Sequence, residues 1–254
     1  MRSTADSSQV CRPPQLLAKS IELQAYLEAL SLTEIASMMQ LSPKLAAATV
    51  SKIAAWTDKP NLQGAAIDSF LGDVYSGLQV NTMTAADRRY ADKHLRILSG
   101  LYGILRPLDG VYPYRLEMGY KLPTYKHPNL YSFWGSAVAD TLKGTTSVIN
   151  LSAAEYGKLV LPHIAASRLI TPKFLTIHPK TGNPTFVAVH AKIARGAFAG
   201  WMIRRRIQDG IDNSRTFMDF TDLGYNYETD LSSTAQPVFV CNKFKGIGLS
   251  VRLT

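Results

Sequence analysis

Between Leu16 and Leu98 the large apolar residues recur at helical spacing, and strand-like runs begin only after a block of Gly and Pro. Leu16, Leu17, Ile21, Leu23, Leu27 and Leu30 mark one face of a helix over residues 16–30. Thr33 can cap a second helix, 34–39, and Ser42 followed by Pro43 opens a third that runs to about residue 56. Residues 61–75 and 85–98 read as further helices, the last capped by Thr84. Gly100, Gly103, Pro107 and Gly110 then interrupt the pattern.

Beyond that block, 112–121 is ambiguous and reads as extended. Residues 129–142 and 153–159 read as helices, and 147–151 as a buried strand. Residues 168–178 and 184–189 read as strands joined by a turn at 179–183. A helix over 191–207 and a strand over 237–244 complete the chain. No internal repeat is present. The order of elements predicts a mixed α/β (α+β) fold with a mixed sheet and a helical N-terminal part, in one domain over 15–254. Residues 1–14, polar and carrying two prolines, read as a disordered tail.

The hydrophobic fraction of 46% is enough for a core, and no apolar run approaches the roughly 18 residues of a membrane span. The polar N-terminus has no apolar signal segment. Cys11 and Cys241 match no zinc or redox spacing, so a reducing cytoplasm is the expected location.

Charge is unevenly distributed. The net charge is +9, and residues 1–90 are neutral, with eight Lys/Arg and eight Asp/Glu. No acidic residue lies between Glu155 and Asp209, a stretch that holds nine Lys/Arg and three His. Such a segment is an electrostatic footprint for a polyanion, or else a basic surface with acidic partners elsewhere in the fold. The chain has no Walker or dinucleotide-binding glycine loop, no serine-nucleophile motif and no paired histidines. No cofactor and no metal site are expected.

Three segments carry chemistry. In residues 35–50, Ile35, Met38, Ala46 and Val50 fit the apolar register of a helix-hairpin-helix DNA module, but Gln40 and Ser42 replace its two glycines. Ser42, Pro43 and Lys44 still make a helix N-terminus able to meet a phosphate. An ordinary helical hairpin packed on the core has the same pattern. In the helix expected over 191–207, Lys192, Arg195 and Arg206 share a stripe. Lys192 and Arg195 would fall in its first turn, where the dipole disfavours cations, so an anion is the simplest reason for them. Arg204, Arg205 and Arg206 also suit any helix end. Residues 98–119 set Tyr102, Arg106, Tyr114, Arg115 and Glu117 beside tight turns, which fits a polar cleft or a structural Arg–Glu pair equally well.

Six segments then meet a known family: Phe70-Leu-Gly-Asp-Val-Tyr-Ser-Gly-Leu78, Leu95-Arg-Ile-Leu-Ser-Gly-Leu-Tyr-Gly-Ile-Leu-Arg-Pro-Leu-Asp109, Pro113-Tyr-Arg-Leu-Glu-Met-Gly119, Tyr131-Ser-Phe-Trp134, Asn150-Leu-Ser-Ala-Ala-Glu-Tyr156 and Ala191-Lys-Ile-Ala-Arg-Gly196. Their order and spacing resemble the YaaA peroxide-stress family (the UPF0246 type). The resemblance implies a cytoplasmic protein of the oxidative-stress response, linked to iron homeostasis and to limiting iron-dependent damage. It also implies a basic cleft and a helix-hairpin-helix element that bind duplex or branched DNA. In this chain the element would be residues 34–55. The cleft would draw on Lys192 and Arg195, with Arg106, Tyr114 and Arg115. Two segments depart from the family. Residues 1–9 stand where an apolar strand and Ser-Pro-Ala-Lys are usual, and Val238-Phe-Val-Cys-Asn stands where a basic residue usually follows the Phe.

The sequence therefore predicts a non-catalytic protein that holds the DNA backbone with weak sequence preference, without a membrane or an obligate protein partner. Its nucleic-acid contacts would be Ser42, Lys44, Arg106, Tyr114, Arg115, Lys192, Arg195 and Arg206. The alternative is an enzyme acting on a nucleic acid or nucleotide in the same cleft. Glu117, Glu155 and Lys192 are its candidate acid–base groups, with Asp73, Tyr102, Tyr114 and Tyr156 near them in the same motifs.

Overall fold

A computed structural model describes residue 1, residues 12–207 and residues 215–246. Cys11 and most of the N-terminal tail lie outside the described residues. The helices, in chain order, are α1 (Leu17–Glu28), α2 (Leu32–Met39), α3 (Pro43–Ala54), α4 (Ala66–Ser69), α5 (Asp73–Leu78), α6 (Ala85–His94), α7 (Leu130–Trp134), α8 (Ala137–Asp140), α9 (Ala154–Val160), α10 (Ala188–Arg205) and α11 (Arg215–Met218). The strands are short: β1 (Gly64–Ala65), β2 (Ile97–Ser99), β3 (Gly103–Leu105), β4 (Gly110–Val111), β5 (Val148–Ile149), β6 (Leu169–Ile170), β7 (Lys173–Ile177), β8 (Pro184–Thr185), β9 (Tyr225–Tyr227) and β10 (Val238–Cys241). The architecture is mixed α/β, as the order of sequence patterns predicts. No described helix is long and apolar enough to cross a membrane.

Contacts cluster into two compact units, one built from 1–70, 92–143 and 154–163, the other from 71–91, 144–153 and 164–254. The first unit is helical at its start. Helix α2 opens on Ser31, not on Thr33. Ser31 forms a capping box with Glu34, its hydroxyl accepting the Glu34 N–H while the Glu34 carboxylate accepts the Ser31 N–H. The helix closes on Gln40 in the left-handed conformation, φ 50°. Helix α3 follows after one further residue, with Ser42 as N-cap and Pro43 in its first turn. The helix expected over 61–75 is instead a 3-10 turn, the β1 strand and α4, broken by Gly72 at φ 131° before α5 begins.

The helix expected to run to residue 98 stops at His94 because Ile97–Ser99 pairs with Gly103–Leu105 as a hairpin. Gly103 sits at φ 68° against the ring of Trp134, and Trp134 donates Nε1–H to the Gly100 carbonyl, 3.0 Å. The helix expected over 129–142 divides at Gly135, φ 51°, into α7 and α8. Residues 112–121, expected to be extended, contain no regular strand.

The second unit contains a mixed four-stranded sheet in the order β8-β7-β10-β9, with β10 parallel to β7 and antiparallel to β9. Its core is aromatic. Phe174, Phe198, Phe217, Phe220, Tyr225 and Phe239 are all 0–2% exposed, and Phe174 stacks on Phe239 at 5.2 Å. Burying these rings is the main stabilisation of the unit, each Phe contributing on the order of 1.5–3 kcal/mol. The expected hairpin forms between β7 and β8, but Val189 belongs to α10 and not to the strand. Helix α10 also packs on α5 at backbone distance. A side chain at Gly196 would overlap the Val74 carbonyl, and one at Gly77 would overlap the Ile193 carbonyl.

Candidate nucleic-acid interface

Helices α2 and α3 follow one another closely over residues 32–54, where the sequence predicts either a helix-hairpin-helix element or an ordinary helical hairpin. Leu41 donates its N–H to the Ala36 carbonyl, 2.9 Å, which ties down the left-handed turn that Gln40 makes without a glycine. Ala46 is fully buried, and Ser42 and Lys44 are exposed. The Ser42 side chain caps no backbone N–H of α3.

In the same unit, residues 112–120 bring polar groups together. Tyr102 is buried, and its hydroxyl accepts hydrogen bonds from Trp56 Nε1 (2.9 Å) and the Tyr112 N–H (3.0 Å). Burial pushes its phenol up to about 12. Tyr114 lies edge-on to Tyr102, ring centres 5.5 Å apart, with its hydroxyl 2.6 Å from Ser99 Oγ. Arg115 is half-buried. Its Nε is buried without a hydrogen-bond partner among the described residues, and its guanidinium hydrogen-bonds the Tyr120 side chain. Burial and then Glu117 raise the Tyr120 pKa, and Arg115 opposes them.

Glu155 reaches this loop from α9. Its Oε1 accepts the Gly119 N–H at 2.6 Å, and its backbone carbonyl accepts the Tyr131 hydroxyl at 2.9 Å. A Cβ at Gly119 would stand only 3.2 Å from that carboxylate. Tyr156, next in the chain, is pushed up to about 12, first by burial and then by Glu155 and Glu117. Glu117 itself is exposed. The chain separation between Gly119 and Glu155 hid this contact from any motif.

Arg106 has a different setting. Its Nε lies 3.0 Å from Oδ1 of Asp109, a fully buried carboxylate that also holds Arg12 Nε at 2.9 Å. Asp109 Oδ2 accepts the Arg106 backbone N–H, 2.8 Å. Arg106 thus neutralises a buried acid and closes the turn after β3.

Lys192, Arg195 and Arg206 belong to the second unit. Helix α10 begins at Ala188, one turn earlier than the sequence predicts, so Lys192 and Arg195 lie beyond its first turn. The expected conflict with the helix N-terminus is therefore absent, because dipole effects fade within one turn. Lys192 is exposed. Arg195 is half-buried, burial lowers its pKa, and it makes no hydrogen bond or ion pair with any described residue. Arg206 ends α10 in the left-handed conformation, φ 54°, pairs with Asp87 at 2.8 Å and covers the Tyr90 ring at 5.0 Å.

Asp73, placed among the candidate acid–base groups, opens α5 in this second unit, apart in the chain from the Glu155 loop. The expected cleft draws on residues of both units, and each contribution stands here by itself. Among the described residues no three His, Cys, Asp or Glu side chains gather as a metal ion would require.

One feature of the first unit had no signal in the sequence. A groove of about 540 Å³ runs between α2 and residues 119–123, lined by Glu34, Ser37, Met38, Gln40, Tyr120 and Lys121 among others.

The six sequence motifs fall within a match to the family model described as peroxide stress protein YaaA, which covers residues 1–231. A UPF0246 protein of Salinispora tropica is 51% identical over 252 residues, covering 99% of this chain and 94% of that protein. UPF0246 proteins of a Marinomonas species and of Cupriavidus metallidurans are 40% and 37% identical, each over 89% of this chain and 87% and 88% of their own lengths. On these matches, this chain belongs to the peroxide stress protein YaaA family.

Proposed function

We propose that this protein acts in the cytoplasm during peroxide stress as a non-catalytic DNA-binding protein. It holds duplex or branched DNA by the phosphate backbone, with weak sequence preference, and so limits iron-dependent oxidative damage. The observation that carries the reading is Arg195, a half-buried guanidinium without a counter-charge among the described residues, one turn from exposed Lys192 in a stretch without acids. A charge drawn out of water is costly unless an opposite charge joins it. A phosphate suits an arginine fork in geometry and charge. Ser42 and Lys44 at the start of α3, with Arg115 and Tyr114, supply further contacts. Arg106 and Arg206 act mainly through the acids they hold.

An electrophoretic mobility-shift titration across salt tests the reading. Affinity for unrelated duplex sequences should be similar and should fall steeply with salt, in proportion to the phosphates neutralised. Absence of binding at about 0.1 M salt, where screening is incomplete, would defeat it.

A second reading, an enzyme acting on a nucleic acid or nucleotide, has its own observation. Glu155 holds one carboxylate oxygen against the Gly119 N–H, while the raised phenol of Tyr156 stands beside it. Such a pair can move a proton. Nucleotide or DNA fragments appearing with the wild-type chain and not with Glu155→Gln would establish it.

A further inference from the structure

The groove between α2 and residues 119–123 differs from every basic feature described above. Its charged side chains are one acid, Glu34, and one base, Lys121, and Glu34 is already engaged in the Ser31 capping box. A phosphate would find one exposed lysine there, and a polycation would find one occupied carboxylate. Neither charge class is served.

The remaining lining suits a flat, neutral molecule with donors and acceptors on its edge. Tyr120 supplies an aromatic ring and Met38 a polarizable thioether, both half-buried and able to cover a planar face. Gln40 brings an exposed amide and Ser37 an exposed hydroxyl. Neither side chain is hydrogen-bonded to another described residue. An amide can meet a base edge with paired hydrogen bonds, and a hydroxyl can donate or accept.

Position adds to this. Gln40 is two residues before Ser42, so their Cα atoms are at most about 7.6 Å apart. A groove that could hold a base therefore lies about one nucleotide from the helix start read above as a phosphate contact. The left-handed turn at Gln40 fixes that relation, because it ends α2 and aims the chain into α3.

We infer that this groove takes a single unstacked nucleobase, so that DNA with an extrahelical nucleotide binds better than a perfect duplex. The inference rests on the DNA-binding reading. Base stacking on aromatic side chains contributes about 1–3 kcal/mol per base, which converts to at least about fivefold in affinity.

Three DNAs of equal length test it: a perfect duplex, the same duplex with one bulged 2-aminopurine, and a 2-aminopurine single strand, each against wild type, Gln40→Gly and Tyr120→Ala. Gln40→Gly keeps the left-handed turn and removes only the amide. The expected result is a bulged duplex bound at least about fivefold more tightly, with altered 2-aminopurine fluorescence. Both variants should lose that advantage, and Gln40→Gly should keep its perfect-duplex affinity. Equal affinity for bulged and perfect duplex overturns the groove and leaves the backbone reading standing. Equal losses on all three DNAs in Gln40→Gly also overturn it. Binding of the single strand alone, dependent on Gln40, keeps the groove and removes the backbone reading. Binding of none removes both.

Discussion

Asp87 and Arg206 form a 2.8 Å ion pair that joins the first turn of α6 to the residue that ends α10. The same carboxylate accepts the Thr84 N–H (2.9 Å) and hydroxyl (2.7 Å), while Thr84 Oγ1 accepts the Asp87 N–H (3.1 Å). These bonds from Thr84, and then Arg206, hold the carboxyl at about 2. The folded pKa is depressed, so the contribution is complete above the unfolded value near 3.9 and is lost as pH falls through about 2. Asp87→Asn should lower stability by about 1 kcal/mol at pH 7, mainly through the cap, and the difference should vanish toward pH 2. Thermal unfolding of both proteins across pH checks it. Arg206→Ala should leave the salt dependence of DNA binding nearly unchanged, because its charge is already paired.

The contact between α10 and α5 makes a second demand. Gly196→Ala forces a methyl into the Val74 carbonyl, and backbone on both sides cannot yield. Overpacking of this kind costs about 1–3 kcal/mol, occasionally more. Gly200→Ala is milder, since its nearest neighbour, the Leu78 carbonyl, would be 3.0 Å away and the next atoms belong to the flexible Arg204 side chain. Denaturant titration should place Gly196→Ala well below Gly200→Ala in midpoint.

Lys192→Ala with Arg195→Ala tests the proposed contact face. The log–log salt slope of DNA binding should fall by about two, near 0.9 per phosphate contact. Stability should fall by no more than about 1 kcal/mol, because Lys192 is exposed and the half-buried Arg195 has no counter-charge among the described residues to lose. Unchanged binding with a sharp fall in thermal midpoint would make both residues structural.

His190 sits in the first turn of α10, stacked on Phe244 at 4.0 Å with Nδ1 3.0 Å from Thr176 Oγ1. Burial lowers its pKa. A histidine kept neutral by the fold makes the unfolded chain bind more protons, so stability falls as pH drops below the unfolded value near 6.5. Replacement by Gln should flatten the thermal midpoint between pH 7.5 and 5.5. A wild-type profile already flat in that range would contradict the assignment.

Local signals carried much of the fold. The apolar stripe from Leu17 to Leu27 and Pro43 after Ser42 each specified their element. Errors arose where tertiary contacts decided. Gly72 and Gly135 break helices at positive φ that the apolar pattern runs across, and the β2–β3 hairpin needs Trp134 over Gly103. The site was legible as residue types and not as partners. Arg106 and Arg115 look alike in sequence, yet one meets a buried Asp109 and the other leaves Nε unmatched. Pairings such as Gly119 with Glu155 follow from chain folding, and no spacing encodes them.

Peroxide invites the idea of a thiol sensor, and Cys241 argues against itself. It ends β10, is 0% exposed and lies in the aromatic core of its unit. Burial raises its pKa, with only partial opposition from the Lys243 backbone and the Lys245 charge. Peroxide attacks the thiolate, and reactive cysteines are accessible with depressed pKa values. Cys241 has neither property. In a Cys11→Ser chain, which leaves Cys241 as the sole thiol, native protein should resist both peroxide and iodoacetamide, and denatured protein should react fully. Mass spectrometry of the Cys241 peptide after each treatment reads this directly. Sulfenic acid appearing at Cys241 in the native chain, at a rate matching an exposed low-pKa thiol, would require β10 to open and would make this strand a redox element.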